Sequence, residues 1–186
     1  NTLSWRRDEP ATVRLENPLP DGAGIVNAKG DAVPCQRIEQ EGIPTLLFEA
    51  DVPPLGHAVY RFKDNVQPLA VEGPVAEVTE SGAKLENEFY LVELNDTGAI
   101  SRLFDKRQDR EVLAEGGVGN DLQMFDDRPS QWEAWDIDFN VDENRWSVDE
   151  VVSMEAKEHG PVRATLRVVK KSGSSTLMAL RKTLRT

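Results

Sequence analysis

The residues of this chain best suited to chemistry are concentrated in one stretch. Between Asp121 and Glu150 stand ten acids and two bases, Arg128 and Arg145, a net −8 in a chain of 186 residues whose total is −11. Three of the four tryptophans, Trp132, Trp135 and Trp146, lie there too. An indole face stacks on the C–H side of a pyranose ring and carboxylates accept protons from its hydroxyls, so acids interleaved with tryptophans suit a sugar-facing surface. The competing reading is an acidic, solvated loop whose tryptophans anchor a core. The same acids could supply the carboxylate pair that glycoside hydrolysis needs, but no spacing marks two of them as that pair.

Other chemistries find less support. A zinc site needs three or four converging ligands. The two histidines, His57 and His159, stand among strand or turn residues with no partner at a useful spacing, and both read as structural. Asp136-Ile137-Asp138-Phe139-Asn140 opens like an EF-hand calcium loop, but Val141 stands where glycine is required and Ser147 where a bidentate glutamate belongs. Gly116–Gly119 lacks the following lysine of a phosphate cradle. No Gly-x-Ser-x-Gly elbow occurs, and Cys35 beside Pro34 has no nearby base. Asn95-Asp96-Thr97 fits a glycosylation sequon but reads better as a turn. The sequence assigns no catalytic residue and no metal ligand.

Composition sets the frame. An apolar content of 39% with 30% charged residues suits a soluble globular protein and is too apolar for a disordered one. No apolar run approaches the roughly 20 residues of a membrane span. A charge of −11 argues against nucleic-acid phosphates and against anionic lipid as partners. One cysteine excludes an internal disulfide and suits a reducing compartment, which predicts a cytoplasmic protein. The first residue is Asn1 and no basic, apolar leader opens the chain, so it reads as a piece or processed form of something longer.

The elements that must position these residues are strands. Leu46, Phe48, Ala50 and Val52 alternate with Glu49 and Asp51. After Pro53-Pro54-Leu55-Gly56, Ala58, Tyr60 and Phe62 alternate in turn, which predicts two successive antiparallel strands. Ala11–Asn17 and Val33–Ile38 complete a small β-sandwich over 1–66. Residues 67–82 read as a linker with a short strand near Val75–Thr79. From 83 to 186 the pattern restarts, with a hairpin turning at Asn95-Asp96-Thr97-Gly98. Strands are expected at Leu122–Phe125, Trp135–Phe139 and Trp146–Ala156. Inward-facing Val162, Ala164, Leu166 and Val168 follow, then a strand over Thr176–Leu184 that leaves an open edge near Thr186, where two copies could pair as a homodimer. The fold class is all-β.

Several motifs resemble a known family. Leu85-Glu86-Asn87-Glu88-Phe89-Tyr90, Asn95-Asp96-Thr97-Gly98, Gly119-Asn120-Asp121-Leu122-Gln123-Met124-Phe125 and Glu158-His159-Gly160-Pro161-Val162-Arg163-Ala164 look like the C-terminal β-domain of glycoside hydrolase family 38 α-mannosidases. Trp132-Glu133-Ala134-Trp135-Asp136-Ile137-Asp138 is similar to that family's Trp-Asp-Ala-Trp-Asp signature. Asn1–Arg7 and Pro53-Pro54-Leu55-Gly56 with Tyr60 resemble the smaller β-domain before it. The resemblance implies a small β-sandwich followed by the first part of a galactose mutarotase-like supersandwich, incomplete at its C-terminus. It also implies a parent enzyme that removes terminal α-mannosides using zinc. In that family the zinc ligands, nucleophile and acid/base sit mainly in an N-terminal α/β domain, so none of them is carried over to this chain. The expected partners are that catalytic domain and, through it, a mannoside; the chain alone is expected to be inactive.

Within this frame Trp135 is expected to form a stacking wall at the active-site mouth, with Asp136 orienting a hydroxyl or an arginine and Trp132 beside them. The alternative is that both tryptophans plug an interface between domains. A second class of reading is a stand-alone carbohydrate-binding module. Exposed tryptophans would favour that module, whereas a broad, ragged apolar face would favour a piece of an enzyme.

Overall fold

The computed structural model describes residues 1–67, 69, 72–132 and 135–185, with the backbone alone for 176–182, 184 and 185. Pro68 of the expected linker, Glu133 and Ala134 of the tryptophan motif, and Thr186 at the expected open edge therefore lie outside the described residues. The chain is all-β: apart from strands, the described residues form only a single 3₁₀ turn, Val141–Asn144. It divides into two compact units. The first holds Asn1–Val75, Glu158–Thr165 and Thr183–Thr186; the second holds Ala76–Lys157 and Leu166–Lys182.

The first unit is built on β5 (Ile43–Val52), flanked antiparallel by β1 (Arg7–Arg14) and β4 (Cys35–Gln40). A second sheet pairs β2 (Gly24–Val26) with β3 (Ala32–Val33) and β6 (Arg61–Lys63). The alternation of β5 does what its sequence predicts. Leu46, Phe48 and Ala50 join Ile25 in a buried cluster, against which Val13, Val33, Cys35 and Tyr60 pack. Burying one such leucine contributes about 1.5–3 kcal/mol. The expected pairing of 46–52 with 58–63 does not form. Both edges of β5 are already taken by β1 and β4, so the chain after Pro53-Pro54 crosses to the other sheet and pairs with β2. Phe62 is half exposed as a result of this different placement.

The opposite face of β5 is also buried, at Thr45 and Leu47. Gln36 lies directly across from Leu47 and so shares that face. Its side chain donates to the Arg163 carbonyl at 3.0 Å and accepts from the Arg163 amide at 3.0 Å, clamping residues 158–165 in place. Arg163 in turn donates through Nε and Nη2 to the Glu158 carboxylate at 2.7 and 2.9 Å, and the Thr165 hydroxyl donates to it at 2.8 Å. Gly160 is required at the tightest point: a Cβ there would lie 2.6 Å from Gln36 Cδ, in a side chain fixed by its two bonds. The Glu-His-Gly-Pro-Val-Arg segment is therefore a packing device of the first unit.

The second unit contains a five-stranded sheet in the order β11 (Arg110–Glu111), β10 (Ile100–Asp105), β9 (Tyr90–Leu94), β8 (Gly82–Glu86), β7 (Val75–Thr79). The short strand expected at Val75–Thr79 is β7. The Asn95–Gly98 turn closes as expected: Asn95 Oδ1 accepts from Thr97 Oγ1 and the Ala99 amide, and the Gly98 amide donates to the Asn95 carbonyl. The sequon asparagine holds the turn through its Oδ1 and its carbonyl. A ribbon pairs β12 (Gln123–Phe125) with β13 (Arg145–Ser147). Strands β14 (Val151–Glu158), β15 (Arg163–Ser172) and β16 (Ser175–Arg185) form a further sheet in chain order. On β15, Ala164, Leu166 and Val168 are fully buried, and Lys170 continues their face, equally buried, with no hydrogen-bond partner for Nζ among the described residues.

The buried pair sets a stability prediction. Arg163→Met leaves the Glu158 carboxylate buried without its guanidinium and is expected to cost about 3–5 kcal/mol in urea unfolding. The double variant Glu158→Leu/Arg163→Met is expected to cost less than the single. Equal costs would show that the ion pair is not what couples these positions.

Candidate functional site

The tryptophan stretch is the excursion between the two strands of the β12–β13 ribbon. Its root is tied by Asp121, whose carboxylate accepts from Gln123 Nε2 and from Ser147 Oγ, both at 2.9 Å. Gln123 and Ser147 are themselves a cross-strand pair, so one carboxylate pins both strands. Those two bonds, followed by the nearby positive charges of Lys170 and Arg145, hold the Asp121 carboxyl below its ordinary range.

The excursion is a folded loop, and the strand expected at Trp135–Phe139 is absent. The Trp132 carbonyl accepts from the amides of Trp135 and Asp136 at 2.9 and 3.1 Å. Asp138 Oδ2 accepts from the Ser130 amide at 3.0 Å, and Asp136 Oδ1 from the Ile137 amide at 2.9 Å. Aspartates that capture nearby amides compete with a strand ladder, which is why alternating apolar residues here do not become one. Trp132 sits at φ +64°, a left-handed conformation that is strained for a bulky side chain.

The side chains of this loop turn outward. Trp132 is 71% exposed, Trp135 89% and Phe139 99%. Ile137, Met124, Phe125 and Trp146 are also exposed to solvent. None of the three tryptophans anchors a core within the described residues, and Asp136, also exposed, stands in the same loop. Trp132, Trp135 and Asp136 are thus brought onto one short turn. In the same stretch a small recess of about 230 Å³ has a lining that includes Asp126, Asp127, Asp138 and Asn140 together with Arg128 and Val141. Asp126 is engaged by Arg128, and Arg145 approaches Asp142. Among the described residues no three His, Cys, Asp or Glu side chains converge to hold a metal, so zinc has no fitting ligand set there.

The first unit carries a larger cleft that no sequence motif signalled. It encloses about 660 Å³, and its lining includes Arg6, Asp8, Lys29, Asp51, His57 and Tyr60. These residues come from four separate segments with no common spacing, so only the folded arrangement reveals them. His57 is exposed on the wall of this cleft.

At pH 7 the ionised Asp121 supports the ribbon. Because its folded pKa is depressed, this support is present above the ordinary carboxyl range and is lost as pH falls through the lowered folded value. Intrinsic tryptophan fluorescence is expected to change reversibly on acidification below about pH 4. Asp121→Asn is expected to remove that transition and to raise amide exchange across 121–147.

Comparisons with known proteins bear on the family of the chain. The family described as glycosyl hydrolases family 38 C-terminal domain matches residues 85–183, more than half of the chain. Human Alpha-mannosidase 2C1 is 31% identical over 156 residues, covering 80% of this chain and 15% of that protein. The mouse protein of the same name is 29% identical over the same shares. Alpha-mannosidase G of Dictyostelium discoideum is 33% identical over 85 residues, covering 45% of this chain and 8% of that protein. The chain therefore spans only about 15% of the length of the first two relatives. An α-mannosidase crystal structure from Enterococcus faecalis V583 superposes with a TM-score of 0.52 at 14% identity, covering 90% of this chain and 22% of that one, which speaks to the fold alone. The chain belongs to glycosyl hydrolase family 38, in its C-terminal domain.

Proposed function

We propose that this chain is the non-catalytic β-region of an enzyme that hydrolyses terminal α-mannosides, and that the Trp132–Asp138 loop serves that enzyme at the face where substrate enters. The observation that carries the reading is the loop itself. A tied ribbon root and aspartate-captured amides hold Trp132 and Trp135 outward beside Asp136, in the segment that resembles the family's signature. The relatives' names, α-mannosidases, support the substrate class. In this proposal Trp135 stacks on the C–H face of the sugar, Asp136 accepts a hydroxyl proton or orients an arginine, and Trp132 shapes the turn.

The chemical step belongs to the catalytic α/β domain of the same polypeptide, which in this reading also binds the zinc, and the chain alone is inactive. The parent is placed in the cytoplasm, a proposal supported by the single free cysteine, Cys35. Because β16 is the outer strand of its sheet, isolated chains are proposed to pair along it.

Two further readings have an observation behind them. Exposed Met124, Phe125, Ile137 and Phe139 extend the apolar surface well past the tryptophans, which supports a face covered by another domain. The outward indoles alone would also suit a stand-alone carbohydrate-binding module. The deciding experiment uses the full-length enzyme and an aryl α-mannoside with zinc supplied. Wild-type parent is expected to be active and this chain inactive. Trp135→Ala in the parent is expected to lower kcat/KM about tenfold or more with an unchanged melting temperature. Equal loss of activity and stability would reduce Trp135 to an interface plug. Activity in the chain alone would overturn the division of labour.

A further inference from the structure

We infer that the cleft of the first unit is a second saccharide-binding site, one that takes a neutral mono- or disaccharide; the inference rests on the sugar-directed reading above. The cleft's volume, about 660 Å³, falls within the about 300–1,000 Å³ range of small-molecule sites. Its walls are tied by internal hydrogen bonds. Asn27 Oδ1 accepts from the amides of Lys29 and Asp31, locking the 27–31 turn. Asn1 Nδ2 donates to the carbonyls of Val52 and Pro53, and the Leu55 amide donates to the Leu3 carbonyl, pinning the Pro-Pro-Leu-Gly wall. Tyr60 packs its ring against Phe48, while its hydroxyl accepts from the Asp51 amide at 2.7 Å and donates to the Asp51 carbonyl at 3.1 Å.

Charged groups of both signs stand on this frame. Asp8 and Asp51 stand directly opposite across β1 and β5, a like-charge pairing that destabilises a sheet. Arg6 forms a two-point ion pair with Asp51, which holds that carboxyl below its ordinary range. Among the described residues the side chains of Lys29 and His57 make no hydrogen bond or ion pair, Asp8 has only the nearby charge of Arg6, and all three line the cleft. Val33, Pro34 and Val59 supply apolar surface between them. A lining with both signs of charge suits neither a phosphate nor a polycation. Acceptors and donors interleaved with apolar patches match a pyranose, which presents hydroxyls at its edge and C–H groups on its face.

The test is amide chemical-shift titration of the folded chain with methyl α-mannoside and with an α-linked mannobiose. Shifts at Lys29, His57 and Val59 that saturate in the about 1–10 mM range are expected. Asp8→Ala/Lys29→Ala removes side chains that make no internal bond, so it should fold as wild type while weakening binding at least about fivefold. Trp135→Ala should leave these shifts unchanged. Shifts confined to Trp132–Asp138 would overturn the cleft site and leave the sugar-directed reading standing, as would an absence of shifts in a chain whose full-length parent cleaves α-mannosides. Undiminished binding by the double variant would also overturn it. A full-length parent with no activity on α-mannosides would instead remove the reading on which the inference rests.

Discussion

The buried contact among Gln36, Arg163 and Glu158 is the constraint on which the first unit depends. It joins residues 127 positions apart through a side-chain amide that satisfies both the N–H and the C=O of a single residue. Burying a carboxylate and a guanidinium is costly unless every lone pair and proton finds a partner. Here the fork of Arg163 and the hydroxyl of Thr165 meet the carboxylate together. Thr45 and Leu47 are buried on the same face of the sheet as Gln36, turned away from the Leu46–Phe48–Ala50 cluster. The central strand of this three-stranded sheet is buried on both faces.

The second unit uses its polar groups differently. Asp121, Asp136 and Asp138 fix backbone, and the aromatic residues they hold are left in solvent. Folding energy alone does not recommend such an arrangement, because exposed indoles gain nothing from the hydrophobic effect and Trp132 bears a strained φ. The proposed contact with a sugar ring or with another domain would offset that cost.

How much of this could be read from residues alone depended on the range of the interaction. Alternation along β5 and β15, and the asparagine turn at 95–98, are local patterns, and each appears in the structure where the sequence puts it. The partner of residues 58–63 is not a local property, since it was decided by β1 and β4 having occupied both edges of β5. Residues 135–139 have the periodicity of a strand but are diverted by their own aspartates. The tryptophans drew attention to the 121–150 stretch, while their exposure could not be known, because an indole is equally at home in a core. The cleft lined by Asp8, Lys29 and His57 left no trace in spacing because it is assembled from separate turns and strands.

The two-part make-up of the first unit also orders events on the ribosome. Gln36 emerges 127 residues ahead of Arg163, a delay of roughly 6–25 s at ordinary elongation rates. Throughout that interval the face of the sheet that carries Gln36, Thr45 and Leu47 lacks its bond to Arg163. The nascent chain therefore passes through a stage in which a nearly complete sheet is sticky on one side, the stage at which a chaperone or a co-translational neighbour has most to offer.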